Sequence, residues 1–211
     1  VFSRVHWQQD RRVLDWCDRN GILIQIEVPC WGPATFNGMG DRLDPVIMAN
    51  GLEQLEEMIR RDSNHPSVVT WGLCNEIDGQ NPVAAEFARR MYERARELDP
   101  GRLLTYASNS LQKDPGTDIS RMMDFVEWNE YYESWMEGTP ADMRRNLEAI
   151  HAAFPDKPVV ISEYGYCECR PAHSGGDPKR IEILRVHDSI FRDYPWVAGA
   201  IFFCYNDYRT H

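Results

Sequence analysis

Short apolar runs alternate with longer amphipathic runs along the chain. The short runs are rich in β-branched residues, which is typical of strands buried in a parallel sheet. They cover residues 22–28, 68–73, 103–107, 125–128, 159–162 and 198–205. Apolar residues recur at helical spacing in five further ranges, which are 8–19, 49–61, 83–98, 141–154 and 179–192. The pattern predicts a series of β/α units joined by right-handed crossovers.

Either a barrel or a doubly wound sheet satisfies a series of β/α units. No phosphate loop or dinucleotide fingerprint favours the doubly wound sheet, because Gly38-Met39-Gly40 follows no predicted strand and opens no helix. We therefore predict an α/β fold in which residues 1–211 form one domain, a (β/α)8 TIM barrel. It is expected to be truncated at its N-terminus, with about strands three to eight present and Phe2–Val5 at most the tail of the second.

A truncated barrel would expose two edges of its sheet. Residues 22–28 and 198–205 would each have an unpaired edge of apolar and aromatic side chains, which is an aggregation hazard in water. We therefore expect residues 1–211 alone to be insoluble or inactive, and the native protein to carry more chain on both sides.

Composition and charge exclude several classes of partner. The chain has 211 residues, 43% of them hydrophobic, which is enough to bury a substantial core. Its formal net charge is -10, and no Lys/Arg cluster interleaves with aromatics, so neither nucleic acid nor a membrane is an expected partner. The six cysteines are scattered through predicted elements, which favours free thiols over a disulfide framework.

Two glutamates lie at the ends of predicted strands. Glu76 closes the run at residues 68–73 after a short extension, and Glu163 follows the run at 159–162. The carboxyl ends of barrel strands meet in the active-site mouth. A glycosidase needs two carboxyl groups there, one to protonate the leaving oxygen and one to attack the sugar or activate water. The pattern predicts sugar hydrolysis.

Five segments, in chain order, resemble the catalytic barrel of glycoside hydrolase family 2, which contains β-glucuronidases, β-galactosidases and β-mannosidases. They are residues 17–23 (CDRNGIL), 64–76 (NHPSVVTWGLCNE), 129–132 (NEYY), 162–165 (SEYG) and 199–210 (GAIFFCYNDYRT). Their spacing is most similar to that of β-glucuronidases. The resemblance implies a (β/α)8 barrel, a retaining mechanism and β-sandwich domains before the barrel, with a homo-oligomer possible in the full-length protein.

The resemblance also implies roles for individual residues. Glu76 corresponds to the general acid/base and Glu163 to the nucleophile. Burial and the negative charge of Glu163 would raise the pKa of Glu76, while Glu163 needs hydrogen-bond donors to stay ionised, Tyr131 being one. The family's sugar-binding positions fall on His6, Glu27, Asn75, Asn129, Tyr131, Trp135 and Phe203.

Several positions depart from the family pattern. Phe203 stands where the family has a tryptophan beneath the sugar, and Trp135 stands where glucuronidases have a tyrosine near the sugar carboxylate. The family arginine falls on Ser3, with Arg4 one place away. Trp31 and Pro33 take the positions of a metal-binding pair found in some β-galactosidases. We therefore expect no magnesium and no cofactor.

The cysteines of residues 167–169 (CEC), together with His173, have the composition of a metal site. Their spacing is too tight for a tetrahedral pattern, so a variable loop at the pocket wall is the better interpretation. Trp31 and residues 35–42 are predicted to line the same pocket.

The predicted function is that of a retaining exo-β-glycosidase that hydrolyses a terminal β-linked sugar by double displacement, most like a β-glucuronidase or a β-galactosidase. The carboxyl groups of Glu76 and Glu163 are then expected ~5–5.5 Å apart. One alternative is a β-mannosidase or an endo-glucanase, the latter with an open groove. The other is an incomplete barrel that does not turn over substrate.

Overall fold

Seven parallel strands, arranged in chain order, form the centre of the protein. The structure is a computed structural model that describes residues 1–36, 39, 42–167 and 175–206. The strands are β1 Phe2–Val5, β2 Leu23–Glu27, β3 Val68–Asn75, β4 Leu103–Ser108, β5 Val126–Asn129, β6 Val159–Tyr164 and β7 Val197–Phe202. Residues of β1 and β7 approach each other to Cα distances within 8 Å. The sheet is therefore a nearly closed barrel, as the sequence pattern predicts.

Helices follow the strands on the outside of the barrel. They are α1 Arg11–Asn20, α2 Pro45–Asp62, α3 Pro82–Leu98, α4 Pro140–Ala153 and α5 Gly176–Phe191, with short 3₁₀ helices at Pro33–Phe36, Pro115–Thr117 and Ile119–Met122. Capping side chains set their starts. Asp10 accepts from the backbone of α1, so that helix begins three residues later than the predicted 8–19. Asp44 with Pro45 starts α2 four residues before the predicted 49–61.

The first strand differs from its prediction. β1 is a paired member of the sheet, because all four of its residues pair with β2 in a continuous parallel register, from Phe2↔Leu23 to Val5↔Ile26. The predicted unpaired edge at residues 22–28 is therefore wrong, since β2 lies between β1 and β3. The apolar pattern does not reveal β1 because the strand is short and carries the charged Arg4.

Successive side chains of a strand point alternately toward the helices and into the barrel, which separates an apolar layer from a polar interior. Ile24 and Ile26 of β2 belong to the apolar core, whereas Gln25 and Glu27 between them are fully buried polar residues. One apolar cluster packs β2–β4 against α1–α3, and a second packs β5–β7 against α4 and α5. The polar interior lies directly beneath the side chains at the carboxyl ends of the strands.

The structure also bears on the cysteines and on membrane-spanning helices. Cys17, Cys30 and Cys74 are free thiols, as predicted for them, and Cys169 lies outside the described residues. Among the described residues, no helix combines the length and the apolar character needed to cross a membrane.

Candidate active site

Polar side chains from five strands converge at the carboxyl end of the sheet. Asn75 is the last residue of β3, with Glu76 directly after it, and Glu163 lies near the end of β6. Glu76 has a backbone φ of 52°, a conformation that costs a non-glycine residue about 1–2 kcal/mol. Its N–H donates to the carbonyl of Ala107 at 2.8 Å, which holds this sharp turn against β4.

Three side chains surround the carboxylate of Glu163, which is almost completely buried. Nη1 of Arg4 donates to Oε1 at 2.6 Å, and Nε2 of His6 lies 2.6 Å from the same oxygen. The hydroxyl of Tyr131 donates to Oε2 at 2.6 Å. Because an ionised carboxylate only accepts hydrogen bonds, Nε2 of His6 carries a proton in this arrangement.

These contacts decide the ionisation of Glu163. Burial by itself favours the neutral acid. The hydrogen bond from His6, the charge of Arg4 and the hydroxyl of Tyr131 together outweigh burial and lower the pKa of Glu163 to about 2. The carboxylate is therefore ionised throughout the neutral range, as a nucleophile must be.

Arg4 joins four strands through its guanidinium. Besides Glu163, Nη2 donates to Oε2 of Glu27 at 3.0 Å and to Oδ1 of Asn75 at 2.7 Å, and Nε donates to the other oxygen of Glu27. Burial disfavours its charge, but Glu27 and Glu163 hold the pKa of Arg4 above its usual value. Arg4 rather than Ser3 therefore provides the cation of the site. The sequence signal was the place of Arg4, one residue from the position of the family arginine.

Neutral groups surround Glu76. Nδ2 of Asn129 donates to its Oε1 at 3.0 Å, and the indole N–H of Trp31 donates to its Oε2 at 3.2 Å. Burial, and then the negative charge of Glu163, raise the pKa of Glu76. The pKa values of the two glutamates are thus shifted in opposite directions, which is expected of an acid and a nucleophile in one site.

Asn129 and Asn75 are linked at the strand ends. Nδ2 of Asn129 lies 3.2 Å from Oδ1 of Asn75, and Oδ1 of Asn129 accepts from the hydroxyl of Ser162 at 2.7 Å. These bonds orient the amide of Asn129 toward Glu76. The side-chain N–H₂ of Asn75 is buried and has no hydrogen-bond partner among the described residues. It is therefore available to a substrate hydroxyl.

The other predicted sugar-binding residues lie in different places. Phe203 stands beside the site, its ring centroid 6.0 Å from His6 and 6.5 Å from Tyr131. Glu27 lies deeper, with both oxygens engaged by Arg4 and one also by Gln25, so the structure indicates that it anchors Arg4. Trp135 is about half exposed in the loop after β5. For Glu27 and Trp135, sugar contact stays a prediction.

Sequence reasoning missed an interior pair beneath the site. Nε2 of Gln25 donates both to Glu27 at 2.8 Å and to Glu127 at 2.9 Å. Glu127 is fully buried on β5, and burial, only partly offset by the charge of Arg4, raises its pKa to about 8. The apolar pattern gave no signal that these two side chains are buried.

A second missed pair lies behind the nucleophile strand. Glu130 is buried directly after β5 and bonds Nε2 of His187 from α5. Its backbone N–H donates to the carbonyl of Glu163 at 2.9 Å. The pair thus ties α5 to the ends of β5 and β6.

Part of the predicted pocket wall falls outside the described residues. This holds for Gly38, Gly40, Cys169 and His173. Trp31 and Pro33 are described, and Trp31 reaches Glu76 as given above.

The chain matches the family model for "Glycosyl hydrolases family 2, TIM barrel domain" over residues 2–189. A β-glucuronidase of Bacteroides fragilis is 33% identical over 162 residues, which is 76% of this chain and 22% of the relative. A β-glucuronidase of Sus scrofa is 33% identical over 172 residues, which is 78% of this chain and 25% of the relative. The chain thus spans about a quarter of the length of these relatives.

Solved structures that resemble this chain are also β-glucuronidases. A β-glucuronidase of Dictyoglomus thermophilum superimposes with a TM-score of 0.86 at 26% identity, over 99% of this chain and 39% of the other. One of Faecalibacterium prausnitzii superimposes with a TM-score of 0.80 at 32% identity, over 99% of this chain and 37% of the other. The chain belongs to glycoside hydrolase family 2, of which it carries the TIM-barrel domain.

Proposed function

We propose that this barrel is the catalytic domain of a retaining exo-β-glycosidase with a β-glucuronide as its preferred substrate. The opposite shifts in the pKa values of Glu163 and Glu76 carry the proposal. An ionised carboxylate and a carboxyl group with a raised pKa, both at the carboxyl end of the sheet, are the two groups that double displacement requires.

In the first step, Glu163 attacks the anomeric carbon while Glu76 transfers its proton to the glycosidic oxygen. The bond from the anomeric carbon to that oxygen breaks, the aglycone leaves as an alcohol, and a glycosyl ester forms on Glu163. The negative charge of Glu163 is lost in this ester. The pKa of Glu76 then falls, because that charge helped to raise it.

In the second step, Glu76 acts as a base. It removes a proton from water, the water oxygen attacks the anomeric carbon, and the ester bond to Glu163 breaks. Glu163 becomes a carboxylate again, stabilised by Arg4, His6 and Tyr131. The N–H₂ of Asn75 would bind a hydroxyl of the sugar beside the reacting carbon, a contact that strengthens in the transition state.

The preference for a glucuronide rests on the relatives, which are β-glucuronidases at 33% identity. It is tested by comparing kcat/KM of the full-length gene product on 4-nitrophenyl β-glycosides of glucuronic acid, galactose, mannose and glucose. We expect the β-glucuronide to be preferred by at least roughly tenfold, a difference of about 1.4 kcal/mol. A higher value for another sugar would replace the glycone assignment, and no turnover of any glycoside would favour the non-catalytic alternative.

Retention is tested separately on the same protein. Proton NMR of the first product should show the β-anomer before mutarotation. Initial release of the α-anomer would show inversion and would contradict the role given to Glu163.

A further inference from the structure

Trp31 is exposed yet held in a fixed position. It is 60% exposed, as are other tryptophans of the chain to a similar degree, but it differs from Trp7 and Trp16 in its bond to a residue of the site. One end of the indole is tied down, since its N–H donates to Oε2 of Glu76 at 3.2 Å. The side chain thus contacts the acid of the site while most of its surface remains accessible.

The backbone around Trp31 is anchored from both sides. Trp31 forms an isolated parallel bridge with Asn75, in which the N–H of Asn75 donates to Cys30 at 2.8 Å and that of Gly32 donates to Asn75 at 3.0 Å. On the far side, Phe36 is buried against Phe87, with ring centroids 5.3 Å apart. The ring is therefore presented by a rigid segment, so little ordering is needed when a ligand binds.

The position of Trp31 relative to Glu76 identifies the part of the substrate that it meets. An acid that protonates the leaving oxygen lies on the aglycone side of the bond that breaks. A ring bonded to that acid lies on the same side. Flat exposed indole faces bind other aromatic rings and the apolar faces of sugars.

We propose that Trp31 is the aglycone platform of this enzyme, that it selects aromatic aglycones, and that its indole N–H positions Glu76 for proton transfer. The inference rests on the proposed glycosidase function. It assigns Trp31 two separable contributions, stacking by the ring and a hydrogen bond by the nitrogen.

The hydrogen bond from Trp31 should lower the pKa of Glu76. Indole N–H can only donate, so it stabilises the carboxylate form of Glu76. The charged groups that face Glu76 are Glu163 from β6 and Arg4 from β1, and Asn129 is its other neutral donor. Trp31→Phe keeps a ring and removes the donor, so the pKa of Glu76 should rise further, by roughly 0.5 unit for one exposed hydrogen bond.

The stacking contribution is measured with a benzyl and a methyl β-glycoside of the preferred sugar, because both leaving groups are alkyl alcohols and differ in the aromatic face. Trp31→Ala should lower kcat/KM for the benzyl glycoside about fivefold more than for the methyl glycoside. Trp31→Phe should keep most of the benzyl preference. Trp16→Ala is the matched control, since Trp16 is 56% exposed on α1 and should change neither substrate.

The hydrogen-bond contribution is measured without turnover, by NMR titration of the ¹³C-labelled carboxyl group of Glu76 in the wild type and in Trp31→Phe. An unchanged titration, or equal losses on both glycosides in Trp31→Ala, would overturn the proposal. A wild type that turns over no β-glycoside would instead contradict the proposed function, and the titration would still decide whether Trp31 acts on Glu76.

Discussion

The surroundings of Glu163 and Glu76 differ in charge more than in burial. For both carboxyl groups burial is the largest influence and raises the pKa. At Glu163 the cation Arg4 and the donors His6 and Tyr131 reverse that effect, whereas Glu76 receives hydrogen bonds from neutral groups alone among its described partners. Arg4 also lowers the pKa of Glu76, but there burial and the charge of Glu163 prevail. The direct hydrogen bonds from Arg4, His6 and Tyr131 to Glu163 therefore separate the two roles.

Removal of the anionic group itself should have the largest effect on turnover. Glu163→Gln keeps the size of the side chain but cannot form the glycosyl ester, so turnover of every β-glycoside should fall below detection. Initial rates of the full-length gene product measure the loss. Glu53→Gln on the exposed face of α2 is the control and should keep wild-type rates. A Glu163→Gln variant within tenfold of wild type would show that another group is the nucleophile.

Glu76→Gln removes the acid and leaves the cation-rich side intact. General acid catalysis contributes roughly 10²–10⁴-fold, and it matters most where the leaving alcohol is a poor leaving group. We expect a loss of that size on the methyl glycoside and a much smaller loss in the first step with a 4-nitrophenyl glycoside. Single-turnover rates measure both. Equal losses on the two substrates would mean that Glu76 is not the acid.

Arg4→Met tests whether the cation sets the difference between the two glutamates. It leaves Glu27 and Glu163 buried without their partner, a change that costs about 3–5 kcal/mol of stability in comparable buried pairs. The pKa of Glu163 should rise, so the acidic limb of kcat/KM should move from near pH 2 to higher pH. Chemical denaturation and the pH profile are the measurements.

Arg4→Met/Glu27→Met separates stability from ionisation. The double variant removes one unpaired charge, so part of the stability should return while the raised acidic limb persists. A double variant with both properties restored would show that Arg4 acts through folding alone.

The two glutamates and Asn75 were predictable from sequence because each follows a recognisable apolar strand, and parallel strands bring their carboxyl ends together. The resemblance placed Arg4 one residue from the family arginine but did not assign it the role, and its strand was hidden because it has four residues and an interior charge. The bond from Trp31 to Glu76 also escaped prediction. It depends on the left-handed backbone of Glu76 and on the bridge between Trp31 and Asn75, which are properties of the folded chain.

The ends of the strands also differ between the sequence prediction and the structure. Periodicity located the six strands from β2 to β7. The strands β3, β5 and β6 extend one or two residues past their predicted ends, where polar site residues such as Asn75 and Asn129 continue the ladder, and β7 ends three residues earlier than predicted. Apolar patterns report burial against the helices. They carry no signal for polar side chains buried inside a barrel, which is why Gln25 and Glu127 were missed.

The smallest effect is expected at Glu127, a third buried carboxyl group that the charge of Arg4 influences. Among the described residues, the guanidinium of Arg4 donates to Glu27, Asn75 and Glu163 but not to Glu127. There burial prevails and the pKa rises from 4.5 to about 8. A folded-state pKa above the unfolded one means that the folded protein binds the extra proton, so the wild type should lose stability as the pH rises from about 4.5 through about 8. Glu127→Gln is nearly isosteric with the protonated acid. It should match the wild type near pH 4.5 and become progressively more stable than it up to about pH 8, as measured by denaturation at a series of pH values. A constant difference between the two proteins across this range would show that Glu127 is ionised in the fold, and that a nearby cation suffices without a hydrogen bond.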